Sequence, residues 1–243
     1  MTKLDILAFG AHPDDIEMGC GGTIAKHVSL GKKVGMVDLT LGELGTRGNV
    51  EIRLKEAQEA AKIVGVDIRE NLQMADGFFS NDKQHQLLII QSIRKYQPDI
   101  VLANSLVDRH PDHARGARLV ADACFLSGLI KIETKENGIN QKPWRPKAIY
   151  HYLQFKTHQP SFVVDVSGFM DTKMNSIKAH RSQFFDSSSK EPETFISKPD
   201  FLNALHERSS DLGRIIGVQH AEGFMCEHVL AIDNFSDLRF TNL

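Results

Sequence analysis

The sequence predicts an α/β fold with a Rossmann-like, mostly parallel sheet that carries helices on both of its faces. Short apolar runs such as Leu4–Gly10 are typical of strands buried on both sides, and amphipathic stretches such as Glu51–Val64 separate them. Strands that alternate with helices form right-handed crossovers, which place parallel strands side by side. We therefore expect the carboxyl ends of the strands to share one edge, where the active site of such a sheet lies.

The first half of the chain shows this alternation most regularly. After the strand Leu4–Gly10, the glycines of residues 19–22 lead into a helix at Thr23–Leu30, where Ile24 and Val28 share one face. The next elements each follow from an apolar run, from apolar residues at helical spacing, or from a boundary such as the proline at position 98. They are a strand at Val34–Leu39, a helix at Glu51–Val64, a strand at Arg69–Met74, a helix at Leu87–Tyr96 and a strand at Asp99–Ala103.

The second half is less regular but continues the same pattern. A helix is expected at Ala114–Phe125, followed by a polar segment with prolines around Glu133–Pro146. Serines and charged residues at Asp186–Glu193 indicate a loop. The remaining predicted elements are strands at Ala148–Leu153 and Ser161–Val166 and helices at Phe169–Gln183 and Pro199–Ile216.

The composition restricts the class of protein. With 243 residues, 41% hydrophobic and 25% charged, the chain can bury a core as one domain over residues 1–243. A net charge of −2 without basic clusters argues against a nucleic-acid partner. No apolar stretch has the roughly 20 residues of a membrane span and no signal peptide is recognisable, so we expect a cytoplasmic protein. Three widely spaced cysteines predict neither a disulfide framework nor a thiolate zinc site.

Two clusters of ionisable residues follow predicted strands. Residues 12–15, with the sequence HPDD, come after the first strand, and residues 110–113, with the sequence HPDH, come after the strand Asp99–Ala103. Either cluster alone is compatible with an ordinary helix cap. Their coincidence at one edge of the sheet favours a mononuclear metal hydrolase.

The residue types suggest how the two clusters divide their roles. Imidazole nitrogen and carboxylate oxygen suit zinc, and His12, Asp15 and His113 supply the three protein ligands of a typical catalytic site. The same donors also accept iron, cobalt or manganese. Asp14 is then free to act as the general base toward a water molecule that the metal makes more acidic.

The second cluster supplies groups for the later steps of hydrolysis. His110 is expected to donate a hydrogen bond to the oxyanion and to protonate the departing amine, with Asp112 orienting it or stabilising its charge. Pro111 suits a first helical turn, where its missing N–H would have no intrahelical partner.

A nucleotide-binding module is the competing interpretation. Gly19 and Gly21 follow a strand, and Asp38 stands near the end of the next strand, as in a dinucleotide-binding fingerprint. Ile24 occupies the position of the third glycine, however. We therefore expect these glycines to form a tight turn or to let the backbone approach the metal pocket.

The motifs resemble those of the PIG-L/LmbE-like family of zinc-dependent N-acetylglucosamine deacetylases. The resemblance rests on residues 11–15 (AHPDD), Glu17, residues 21–23 (GGT) and residues 109–113 (RHPDH), and it extends to residues 51–57 and 219–224. It is greatest for the bacillithiol-biosynthesis branch, which removes acetate from N-acetylglucosaminyl malate.

The resemblance implies specific roles and an assembly. It implies zinc ligation by His12, Asp15 and His113, with Asp14 as the base and His110 assisting the tetrahedral intermediate. These are the assignments reached above from ligand chemistry. Relatives in the family assemble as trimers or hexamers, so a homo-oligomer is expected.

Three further residues are candidates for substrate binding: Arg53, Arg109 and Glu17. A guanidinium offers a planar fork to a carboxylate or to sugar hydroxyls. Arg53 could equally form surface ion pairs on its Glu-rich helix. Glu17 could line the pocket, join a hydrogen-bond network behind the ligands or be an acid at a helix start. The family resemblance favours the pocket for Arg53.

The sequence thus predicts hydrolysis of the N-acetyl group of an N-acetylglucosaminyl conjugate, with the malate glycoside as the expected substrate. Two alternatives stay open. One is a deacylase of another amide, such as a thiol conjugate, an antibiotic precursor or a chitooligosaccharide. The other is a non-enzymatic nucleotide-binding module.

Overall fold

The computed structural model describes residues 3–156 and 158–238, which form a central sheet, a small hairpin and six α-helices. The strands are β1 (Ile6–Gly10), β2 (Val34–Thr40), β3 (Ile68–Met74), β4 (Ile100–Ala103), β5 (Lys135–Glu136), β6 (Ile139–Asn140), β7 (Ala148–Tyr152), β8 (Phe162–Asp165) and β9 (Ala221–Met225). The helices are α1 (Asp15–Ser29), α2 (Val50–Val64), α3 (Lys83–Tyr96), α4 (Pro111–Leu126), α5 (Met170–Ala179) and α6 (Phe201–Ile215).

The central sheet is mostly parallel, which confirms the predicted fold class. Its strand order is β3-β2-β1-β4-β7-β9-β8. The first five strands in this order pair in parallel, whereas β9 runs antiparallel to both β7 and β8. Strand β9 has no clear signal in the sequence, because its five residues include Glu222 and Gly223 and lack the β-branched run that marks a strand.

Helices cover both faces of the sheet, and the alternation of side chains along β1 shows how. Leu7 and Phe9 belong to a buried cluster with α3 and α4. Ile6 and Ala8 point the other way, into a cluster with α1 and α2. Successive side chains of a strand face opposite sides, so a strand covered on both faces is apolar throughout.

The first helix begins at Asp15, eight residues before the predicted start at Thr23. Residues 19–22 are therefore neither a tight turn nor a ligand loop. The helix is kinked at Cys20 (φ −143°), and the Glu222 carboxylate accepts hydrogen bonds from the backbone N–H groups of Gly22 and Thr23 just beyond the kink. Tertiary contacts here override the low helix propensity of glycine.

Gly19 is required by close packing inside the helix. A Cβ atom at this position would lie 2.1 Å from Cδ2 of Tyr152, whose side chain is fully buried and whose hydroxyl donates to the carbonyl of Phe9. Helix α1 can approach β7 this closely only without a side chain at position 19.

Two other helices begin earlier than predicted because side chains cap them. Asp82 accepts a hydrogen bond from the backbone N–H of His85, so α3 starts at Lys83. His110 precedes α4, and Pro111 occupies its first turn as expected. Residues 186–193 form no helix or strand, in agreement with the predicted loop.

The topology brings the two sequence clusters together. Strands β1 and β4 are neighbours in register, with Ala8 opposite Leu102. Residues 12–15 and 110–113 therefore leave the same edge of the sheet side by side. Within residues 3–156 and 158–238, no helix has both the length and the apolar character needed to cross a membrane.

We predict that Gly19→Ala lowers the free energy of unfolding by about 2 kcal/mol, because overpacking a tight core forces neighbouring groups to move. Gly21→Ala is the matched control in the same helix, where the nearest atom to a new Cβ would be 3.5 Å away. The control should lose no stability. Urea unfolding of both variants measures the difference, and equal stabilities would contradict the proposed packing role.

Candidate active site

A cavity of about 330 Å³ opens at the carboxyl edge of the sheet, above the ends of β1 and β4. Its size is within the range of sites for small ligands. The wall consists of both sequence clusters together with residues from several other segments. The lining residues are His12, Asp14, Asp15, Met18, Leu44, Gly45, Arg53, Asp76, Gly77, Arg109, His110, Pro111, His113, Phe155, Gln183 and Ile196.

Carboxylates surround the His12 ring. Its Nδ1 lies 3.3 Å from Oδ2 of Asp15, and its Nε2 lies 3.1 Å from Oδ1 of Asp76 and 3.3 Å from Oδ2 of Asp112. All three carboxylates are buried. Asp76 was not among the predicted site residues, because it stands alone in a turn after β3 and its approach to His12 is a long-range contact.

Asp15 links the two sequence clusters. Its Oδ1 lies 3.1 Å from Nε2 of His113, while its Oδ2 accepts a hydrogen bond of 2.9 Å from the backbone N–H of His12. The amides of Asn104 and Gln154 also donate to this carboxylate. These bonds fix Asp15 between the two imidazoles.

The donor set fits a divalent metal ion. Nitrogen atoms of His12, His110 and His113 lie within 4.8 Å of one another, and His12 forms a second such group with Asp76 and Asp112. The first group thus contains His110 together with His12 and His113, two of the three ligands predicted from the sequence. Imidazole and carboxylate are the donors that zinc prefers in catalytic sites.

The electrostatics of the cluster also favour a cation. Burial lowers the pKa of His113, but the Asp15 and Asp108 carboxylates outweigh burial and raise this pKa to about 9. Positive charge is therefore stabilised at the His113 ring, which lies among buried aspartates.

Asp14 lies beside the cluster in an unusual backbone conformation, with φ of 126°. Non-glycine residues rarely adopt such values, and they persist where the surrounding structure enforces them. Burial raises the pKa of Asp14 to about 6, and Arg53, with Nη2 3.6 Å from Asp14 Oδ2, opposes the rise. A carboxylate with a pKa near the working pH is suited to act as a general base.

His110 lines the cavity and remains partly exposed. Its ring stacks on that of His113 with a centroid distance of 5.0 Å, and burial, with the nearby His12 and His113, lowers its pKa. The Asp112 carboxylate contacts His12, the backbone N–H of Gly77 and the Arg115 guanidinium, and it acts on His110 through its charge, which favours the protonated ring. Only the backbone N–H of Asp112 reaches His110, by donating to Nδ1.

The structure places both candidate arginines in the cavity wall. Arg53 is buried and donates to the carbonyls of Gly42 and Pro13, so it is not a surface ion-pairing residue. Arg109 is exposed, and its guanidinium lies over the rings of Phe155 and Phe195.

Glu17 does not line the cavity. Its side chain is fully buried, where it accepts a hydrogen bond from Arg69 and lies 3.0 Å from Nε2 of His180. Arg69 also forms two bonds of 2.8 Å to Asp38. Glu17 thus joins a buried ion-pair network behind the site instead of the surface that a substrate would touch.

The same network argues against the nucleotide-binding interpretation. Asp38, the acid of the apparent fingerprint, is buried and bound by Arg69, and Gly19 and Gly21 lie inside α1. The acidic residue of a true fingerprint binds a ribose hydroxyl. Asp38 is not accessible for that contact.

Comparison with known proteins agrees with this geometry. The family model described as PIG-L, GlcNAc-PI de-N-acetylase, matches residues 7–124. The chain is 32% identical to the diacetylchitobiose deacetylase of Thermococcus kodakarensis, over 74% of this chain and 70% of the relative. The chain belongs to the PIG-L family. The resemblance drawn from the sequence motifs is confirmed, and the protein is an enzyme of the N-deacetylase class.

Three further proteins are similar to this chain. The conserved protein TT1542 of Thermus thermophilus has a TM-score of 0.83 and 35% identity, covering 95% of this chain and 98% of that one. The N,N'-diacetylchitobiose deacetylase of Pyrococcus horikoshii has a TM-score of 0.78 and 28% identity, covering 96% and 87%. A probable N-acetyl-alpha-D-glucosaminyl L-malate deacetylase 2 of Bacillus cereus is 26% identical, over 73% of this chain and 83% of the relative.

We predict that Glu17→Gln lowers the free energy of unfolding by about 3 kcal/mol at neutral pH, because it leaves Arg69 buried with one partner fewer. Burial raises the pKa of Glu17, but Arg69 and His180 outweigh burial and lower this pKa from its ordinary 4.5 to about 2. Its contribution is therefore complete above about pH 4.5 and is lost as the pH falls toward 2.

Urea unfolding of wild type and variant at pH 7 and at about pH 3.5 measures this, and the difference should be smaller at the acid pH. Glu51→Gln, which removes an exposed pair with Lys55, is the control and should change little. A Glu17→Gln effect as small as that of the control would contradict the buried network.

Proposed function

We propose that the protein hydrolyses the N-acetyl group of an N-acetylglucosaminyl conjugate in a zinc-dependent reaction. The observation that carries this proposal is the position of Asp14, a buried carboxylate with a raised pKa, directly beside the cluster of His12, Asp15 and His113.

The residues proposed to hold the zinc ion are His12, Asp15 and His113. When bound, zinc supplies a Lewis acid that polarises the acetyl carbonyl and lowers the pKa of water. Asp76 and Asp112 hold the orientation of the His12 ring from its other side. Iron, cobalt or manganese would fit the same donors.

The proton transfers are assigned to two side chains at the cavity wall. Asp14 accepts the proton of the attacking water, because its buried carboxylate is basic enough and lies next to the cluster. His110 donates a hydrogen bond to the oxygen on which negative charge develops and gives its proton to the departing amine, and the proton that Asp14 took from water replaces it on the ring. Arg53 keeps Asp14 in place, and Arg109 contacts the substrate at the mouth of the cavity.

Two conjugates are candidates for the substrate. The sequence motifs favour N-acetylglucosaminyl malate of bacillithiol biosynthesis, and the similarity to a probable malate-glycoside deacetylase supports it. The higher identity to a diacetylchitobiose deacetylase supports an N-acetylated disaccharide. The two share the N-acetylglucosaminyl ring and differ in the group attached to it, so the catalytic cavity would serve both.

We also propose that the protein is cytoplasmic and that it assembles as a trimer or hexamer.

We expect Asp14→Asn to reduce kcat by about 10²- to 10⁴-fold, the usual contribution of a positioned general base, while the metal content stays near that of the wild type. His113→Ala should instead lose the metal itself, because it removes one of three ligands. Metal analysis of the purified variants together with acetate release separates the two effects. Full activity of Asp14→Asn would show that another group is the base.

The substrate proposal is tested by acetate release from N-acetylglucosaminyl malate, N,N'-diacetylchitobiose and free N-acetylglucosamine. The zinc-loaded wild type should release acetate from at least one conjugate, and removal of the metal with a chelator should abolish the reaction. No acetate from any of the three would overturn the proposal. A nucleotide that raises the Tm of metal-free protein would favour the nucleotide-binding module instead.

A further inference from the structure

A second groove lies next to the catalytic cavity, between the segment after β7 and helix α6. It encloses about 460 Å³. Its wall is formed by three aromatic rings and by one face of the helix. The lining residues are Phe155, Phe195, Phe201, Ala204, Leu205, Glu207, Arg208, Asp211 and Leu212.

Two contacts show that the groove adjoins the cavity. Phe155 lines both spaces, and its ring stacks on that of His113 with a centroid distance of 6.0 Å. On the other side, Nη2 of Arg208 donates to the carbonyl of Met18, which also lines the cavity. A molecule with one part over His113 would therefore extend into the groove past a single ring.

The aromatic side chains are arranged as a binding wall. Phe155, Phe195 and Phe201 contact one another with centroid distances of 5.7 to 6.0 Å. Phe195 remains 53% exposed, so an aromatic surface is available to a ligand. The guanidinium of Arg109 lies 4.4 Å from the Phe195 centroid and 4.5 Å from that of Phe155, at the junction of the two spaces.

The groove has no excess of positive charge. Its lining holds one arginine, Arg208, and two acids, Glu207 and Asp211 on the exposed side of α6, while Arg109 lines the adjoining cavity. A dicarboxylate would find as much repulsion as attraction here, whereas a neutral ring with hydroxyl groups can donate to the acids and accept from the arginines. The apolar C–H face of a pyranose ring packs well on aromatic side chains.

We infer that this groove binds a second, neutral sugar ring of the substrate, while the N-acetylated ring occupies the catalytic cavity. This inference rests on the proposed function and decides between its two candidate substrates in favour of the disaccharide. Phe155, Phe195 and α6 then determine which conjugate the enzyme accepts, without taking part in the chemistry.

The test is to fill the groove with Ala204→Trp. Ala204 is exposed on α6 and lines the groove, so the large ring obstructs the second sugar without removing any existing contact. We expect the ratio of kcat/KM for N,N'-diacetylchitobiose to that for N-acetylglucosamine to fall about tenfold, or about 1.4 kcal/mol, chiefly through KM. Phe195→Ala should lower the same ratio by removing the stacking surface.

Asn203→Trp is the matched control, because Asn203 is the neighbouring exposed residue of α6 and is outside the groove lining. It should leave the ratio unchanged. Equal loss of both activities in Ala204→Trp, or no loss, would overturn the inference while leaving the proposed function intact. A loss confined to N-acetylglucosaminyl malate would show that the groove takes the acidic group instead. Absence of acetate release from every substrate by the wild type would overturn the proposed function and this inference with it.

Discussion

The contact of one carboxylate, Asp15, with the rings of both His12 and His113 is the interaction on which the site depends. These residues come from segments about a hundred positions apart, and they meet because β1 and β4 are adjacent parallel strands. A buried carboxylate is costly unless it is well hydrogen-bonded. Asn104 and Gln154 provide those bonds, so the residues that follow β4 and β7 hold the centre of the site.

Helix α1 carries Asp15 at its first position, and its support extends well behind the cavity. Glu17, two residues on, is fixed by Arg69 and His180. Farther along, Glu222 caps the helix after its kink and pairs with Lys173. Buried ion pairs of this kind add little net stability, but each is destabilising to break. They constrain the helix that begins at Asp15, which links the distant strand β9 to the geometry of the site.

The catalytic cavity and the neighbouring groove divide recognition into two tasks. The cavity holds charged groups at fixed positions, as hydrolysis of an amide requires. The groove offers aromatic surface without an excess of positive charge, which suits a neutral ring. Under the proposed function, the residues that would select the attached group lie on α6 and in the segments before it, and Phe155 and Arg208 connect them to the cavity.

The sequence by itself determined the parallel α/β sheet and the meeting of residues 12–15 with residues 110–113. Both follow from local periodicity and from the rule that parallel strands end at one edge. Only the tertiary structure decided several other features. They are the early start of α1, the strand β9, the approach of Asp76 to His12 and the contact of the Asp112 carboxylate with His12. The structure likewise decided between the alternatives for Glu17, which lies in a buried network with Arg69 and not in the cavity wall. Each of these outcomes depends on which distant groups are buried together, and burial of charge and close packing at glycine are properties of the assembled fold that no local pattern contains.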